Sequence, residues 1–154
     1  MKTALISIGV AILIAALSCP LYADDFLWHG FASQIPGATR VVAGDFTGDR
    51  HPDLIALTSS AVYGYENDGL NHFQERVIAT GYFQLHHLDR ADLDGDGDLD
   101  IVIAAHASGG LYWLENRGLM QFTAHTINAG TGYDDVGIGD LTGDGAPDIV
   151  VSEG

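Results

Sequence analysis

Three stretches of this chain are variants of one another, and that repetition limits its fold more than any other feature. Asp45–Ile55 reads DFTGDRHPDLI, Asp92–Val102 reads DLDGDGDLDIV and Asp140–Val150 reads DLTGDGAPDIV. Their starts lie 47 and 48 residues apart. A second element recurs between them: VYGYENDGLNHFQERVI from Val62 and LYWLENRGLMQFTAHTI from Leu111, offset by 49 residues. Two separate elements with one period are not an accident, and a fixed period of this size marks a repeat architecture.

Within one period the pattern predicts four short strands. An apolar stretch precedes each acidic loop (Val41–Ala43, Val136–Ile138) and another follows it (Leu54–Leu57, Ile101–Ala105, Ile149–Val151). A third alternates around Tyr63 and Tyr65, or Tyr112 and Leu114, and a fourth covers Phe73–Ile78 or Phe122–Ile127. Asn-Asp-Gly, Asn-Arg-Gly and Ser-Gly-Gly between such runs are hairpin turns. Nothing beyond residue 23 has helical periodicity. The expected class is therefore all-β, built of four-stranded antiparallel propeller blades, with about three repeats making a partial propeller.

The Asp-x-[Asp/Thr]-Gly-Asp-x-x-x-Asp loops, the first two with Glu-Asn-x-Gly a little later, resemble the FG-GAP/VCBS repeats of integrin α-subunit propellers and of large secreted bacterial proteins. The resemblance covers roughly residues 26 to 154. It implies a propeller, commonly of seven blades, with Ca2+ held in the hairpin between the first two strands of a blade. It also suggests roles in adhesion, cell-surface recognition or carbohydrate binding.

The residues themselves argue for the ion. In the middle loop Asp92, Asp94, Asp96, Asp98 and Asp100 place five carboxylates within nine residues. Two unit charges about 4 Å apart repel by roughly 4 kcal/mol at an effective dielectric near 20, so a tight turn holding several needs a cation. Ca2+ takes 6–8 hard oxygen ligands in flexible geometry, whereas Zn2+ selects His or Cys and Mg2+ a stricter octahedron. Side-chain ligands are expected at loop positions 1, 3, 5 and 9 and a backbone carbonyl at 7. The middle site is then Asp92, Asp94, Asp96, the Asp98 carbonyl and Asp100. The first is Asp45, Thr47, Asp49, the His51 carbonyl and Asp53, and the third Asp140, Thr142, Asp144, the Ala146 carbonyl and Asp148. Up to three Ca2+ sites follow. Thr at position 3 supplies a neutral hydroxyl, and Arg50 stands where the other loops have Gly97 and Gly145. The expected affinity order is middle, third, first. An EF-hand is excluded, because position 12 is Ala56, Ile103 or Val151 and not a bidentate Glu.

Charge narrows the partners. The chain carries 21 acidic and 6 basic residues, a net charge of −15. Nucleic acid and anionic lipid are excluded as expected partners, since both need clustered Lys and Arg. Lys2 precedes an apolar run, Ala4 to Leu17, that is too short to span a bilayer but fits a secretory signal peptide. Residues 1–23 are read as that signal, with cleavage after Ala23, and 24–154 as the propeller segment. Acylation at Cys19 after a lipoprotein signal is the alternative. The mature chain then has 131 residues, no Cys and no membrane span. It is expected to be secreted, periplasmic or at the cell surface.

No catalytic motif emerges. His86 and His87 lie in a predicted strand, where neighbours face opposite sides, so they read as structural. His106 lacks a nucleophile motif nearby. Asp134 and Asp135, read as preceding a strand, and Arg90, beside the middle loop, read as local charge compensation. Tyr112 and Trp113 align with Tyr63 and Gly64 and read as blade packing, although an exposed Trp113 would be able to stack on a sugar. Fewer than three repeats cannot close a ring of four to eight blades. A fragment of a longer propeller is expected, with self-association of several copies as the alternative. The functional expectation is a non-enzymatic, calcium-binding module for an extracellular protein or glycan. The alternative is part of a propeller hydrolase or lyase acting on extracellular polysaccharide.

Overall fold

Short apolar runs punctuated by Gly-containing turns cannot sustain a helix, and the computed structural model has none among its described residues. It describes residues 11–12, 29–30, 37–70, 72–106, 110–130 and 132–154. Two short strands, β1 (Ala11–Ile12) and β2 (His29–Gly30), pair antiparallel. Apart from them, the expected signal peptide lies outside the described residues.

The repeat then produces two complete blades and half of a third. The first is a meander of β3 (Arg40–Gly44), β4 (Asp53–Leu57), β5 (Ala61–Asn67) and β6 (Phe73–Thr80). The second is β7 (Leu85–Ala91), β8 (Asp100–Ala105), β9 (Gly110–Asn116) and β10 (Phe122–Asn128), in the same order. The hairpin of β11 (Tyr133–Gly139) and β12 (Asp148–Glu153) repeats the first two strands. All pairings are antiparallel. The sheets do not merge. Their first strands stand side by side, with β7 packed against both β3 and β11. That is the arrangement of propeller blades around an axis.

Strand alternation explains how one sequence buries both faces of a blade. From β8, Ile101, Ile103 and Ala105 join Ile55, Leu57 and Val62 of the first blade in one core. Val102 and Ala104 face the other way and pack with Tyr133 and Val136 of β11. All six residues of β8 are therefore buried. Each fully buried Val, Leu or Ile among them contributes about 1.5–3 kcal/mol, so packing between blades contributes to stability. The outermost strands are polar instead. Gln74, Glu75 and Arg76 on β6 are exposed, and charged residues on an edge discourage pairing with other chains.

One expectation is corrected. Asp134 and Asp135 lie within β11 and do not precede it. Their partners are histidines of the neighbouring blade, so they are not local compensation for nearby charge.

Candidate metal centre

The three acidic loops occupy the β3–β4, β7–β8 and β11–β12 turns, so all three lie at the same end of their blades. Each is folded by its own first aspartate. Asp45 Oδ1 accepts from the Gly48 and Asp49 amides (2.7 and 3.1 Å), and its Oδ2 from Arg50 (2.8 Å). Asp92 does the same with Gly95, Asp96 and Gly97 (2.8, 3.1 and 3.0 Å). Asp140 holds Gly143 and Gly145 (2.7 and 3.0 Å). The position-5 residues Asp49, Asp96 and Asp144 each accept from the position-7 amide, that of His51, Asp98 or Ala146 (2.8, 2.9 and 2.9 Å). Such local carboxylate-to-amide bonds are a favoured way for Asp to shape a turn.

The loop needs a left-handed residue at position 6. Gly97 and Gly145 supply it at φ 96° and 91°, and Arg50 is forced into the same region at 72°. A side chain there costs of order 1–3 kcal/mol.

Position 9 has a structural task in every loop. Asp53 and Asp100 are completely buried. Asp53 Oδ2 accepts from the Phe46 and Thr47 amides and from the Thr47 hydroxyl (2.9, 3.0 and 3.1 Å). Asp100 Oδ2 accepts from Leu93 (3.0 Å), and Asp148 Oδ2 from Leu141 and Thr142 (2.8 and 2.9 Å). Burial pushes the Asp53 and Asp100 carboxyls up, against the opposing effect of these amides. An ionised carboxylate has about four lone-pair sites; with the Asn67 amide on its Oδ1, Asp53 fills all four, whereas Asp100 and Asp148 keep acceptor capacity.

Sequence reading gave no role to the recurrent Glu-Asn pair, and the structure supplies one. The Asn67 amide donates to Asp53 Oδ1 (2.9 Å) and the Asn116 amide to Asp100 Oδ1 (2.7 Å). Their side chains hold the position-8 carbonyls of Pro52 (3.0 Å) and Leu99 (3.2 Å). The end of the third strand thus locks the loop between the first two. The common period of the two motifs was the available signal.

Loops also couple neighbouring blades. Asn116 Nδ2 and the Met120 amide both donate to the Phe46 carbonyl in the first loop (2.9 and 3.1 Å). Phe46 is fully buried, and its ring lies 6.4 Å from that of Phe122. The equivalent Leu93 is half-buried against the third hairpin, whereas Leu141 is exposed.

Among the described residues the middle loop brings oxygens closest together. Carboxylate oxygens of Asp92, Asp94 and Asp96 all lie within 4.8 Å of one another. Desolvation, then the charges of Asp96, Asp92, Asp45 and Asp94, raises the Asp98 carboxyl above its ordinary value. Asp45 belongs to the first loop, so repulsion crosses between blades. In that first loop Thr47 is buried with its hydroxyl turned onto Asp53, and Asp49 and His51 are exposed. In the third, Asp140, Thr142, Asp144 and Ala146 are exposed and Asp148 is half-buried.

The histidines are arranged differently. His87 turns to Asp135 (2.7 Å) and the Val136 carbonyl (3.0 Å). His86 and His106 stack and both face Asp134. The neighbours His86 and His87 therefore serve separate partners. Trp113 stacks on His125 within its own blade, with centroids 4.8 Å apart.

The FG-GAP-like repeat matches residues 45–103 and again 92–151. The chain belongs to the FG-GAP-like repeat family. Each match runs from the first aspartate of one acidic loop into the strand that follows the next loop. The repeat unit of the family therefore contains both the loop and the Glu-Asn strand that braces it. No curated protein matches the sequence.

Proposed function

We propose that the chain is a secreted, calcium-loaded propeller module that binds an extracellular protein or glycan and catalyses nothing itself. The observation that carries this reading is the convergence of Asp92, Asp94 and Asp96 in a loop whose backbone geometry recurs in all three repeats. The donor set fits Ca2+: every candidate ligand is an oxygen, and Gly95 and Gly97 let the turn wrap an ion. Asp92, Asp94, Asp96, the Asp98 carbonyl and Asp100 would hold it in the middle loop. The third loop would use the equivalent residues, and so would the first, where Asp53 would have to release one of its four hydrogen bonds. A bound ion offsets the mutual repulsion of these groups and, through Phe46 and Asn116, stiffens the contact between blades. Export is supported by the apolar run at residues 4–17, and adhesion or ligand binding by membership of the family.

Thermal unfolding in chelator and in excess Ca2+ tests the reading. Each occupied site adds about 2.7 kcal/mol at a hundredfold excess over its dissociation constant. Coincident melting curves would overturn it.

A further inference from the structure

At the end of the middle blade remote from its acidic loop, three side chains from three segments of two blades meet. His86 comes from β7, His106 follows β8, and Asp134 comes from β11. His106 Nδ1 is 2.8 Å and His86 Nδ1 3.5 Å from the same oxygen, Asp134 Oδ1. The two imidazoles are stacked with centroids 5.3 Å apart and planes 15° from parallel. One ligand atom from each of the three groups fits within a 4.8 Å span.

We propose that His86, His106 and Asp134 form a second metal site, selective for a zinc-type divalent ion and distinct from the calcium loops. Two imidazole nitrogens and one carboxylate oxygen are a donor set for Zn2+ and its neighbours in the first transition row, and a poor one for Ca2+. Ligand atoms around a tetrahedral ion with bonds of 2.0–2.1 Å stand about 3.3 Å apart, so the two nitrogens already lie near the required separation from the carboxylate. The frame is fixed by backbone bonds. The His106 amide donates to the Gln84 carbonyl (3.0 Å), and its carbonyl accepts from Gly132 (3.2 Å). All three side chains are about two-fifths exposed. An open cleft of about 580 Å³, lined by Thr39, Ser59, Gln84, Leu85, His86 and His106, reaches the site. Three protein ligands facing a cleft leave the fourth position of a tetrahedral ion to solvent, as in zinc sites that exchange a ligand.

The test is zinc titration of the full chain by calorimetry with Ca2+ held at saturation, so that the acidic loops are filled. One equivalent of Zn2+ is expected to bind. His86→Ala and His106→Ala are each expected to weaken it at least tenfold, and the double variant to abolish it. His87→Ala is expected to leave it unchanged, because that ring serves Asp135. Uptake that survives in the double variant, or no uptake by the unaltered chain, overturns the site. A second measurement needs no mutation: Zn2+ is expected to shield His86 and His106, but not the exposed His72, from acylation by diethyl pyrocarbonate. Equal modification of all three with and without Zn2+ also overturns it. Neither outcome touches the calcium reading, whose own melting experiment contains no zinc.

Discussion

The two ends of the middle blade present opposite chemistry. At one end Asp92, Asp94 and Asp96 bring oxygens together within five consecutive residues, shaped by their own amides. At the other, His86, His106 and Asp134 meet from positions up to 48 residues apart, and only because two blades pack. The first cluster is local, and its turn geometry recurs in every repeat. The second is long-range, and a small slip between blades would disperse it. A repeat can thus copy a hard-oxygen loop wherever its sequence recurs, whereas a mixed nitrogen and oxygen site depends on a particular pair of blades.

Asp100→Ala gives the largest effect that sharpens this contrast. It strands the half-buried Leu93 and the buried Asn116 amides, at about 1–3 kcal/mol for each unsatisfied group. Urea denaturation in chelator is expected to show a loss of about 3–4 kcal/mol on that basis. Asp94→Ala, at an exposed position, is expected to change stability in chelator by less than about 0.5 kcal/mol while lowering Ca2+ affinity. Similar losses for both would show that position 9 is not the structural anchor.

Next in size is the order of the loops. Calcium titrations of single-loop variants are expected to place the middle site first, the third second and the first last, with Asp92→Ala removing the tightest. Survival of the tightest site in that variant would invert the ranking.

Arg50→Gly is expected to stabilise the protein by about 1 kcal/mol, because it relieves a side chain held at positive φ, and to tighten the first site. An unchanged denaturation midpoint would remove strain as the reason that loop is weak.

The smallest effect is a pH slope. Asp53, Asp98 and Asp100 have raised carboxyls in the folded chain. Their ionisation opposes folding at pH 7, and the penalty fades as pH falls through the raised values towards about 3.9, the unfolded value. Asp49 and Asp68 are lowered, chiefly by backbone amides, but are exposed. In chelator, melting is therefore expected to rise as pH falls from 7 towards about 3.9. With Ca2+ the slope is expected to reverse, since the ion requires ionised ligands. Parallel slopes in the two conditions would separate these carboxylates from ion binding.

The strands around Val41–Ala43, Leu54–Leu57, Tyr63 and Phe73, and their equivalents one repeat later, were legible because apolar runs and Gly turns act locally. The loop residues were legible for the same reason. Asn67 and Asn116 were visible as a pattern but not as a function, because their partners Asp53 and Asp100 lie 14 and 16 residues away across strands. The meeting of His86 with His106 and Asp134 had no sequence signal, since strand periodicity says which side a residue faces and not which blade it meets.

The amino-acid sequence by itself determined the blade, its period and the acidic turn, because each depends on contacts within one repeat. Tertiary packing alone decided that Phe46 is buried while Leu141 is exposed, and that two histidines and an aspartate share one corner. The physical reason is range: hydrogen bonds and turn preferences act over a few residues, while burial and side-chain convergence depend on how separate sheets are placed against each other.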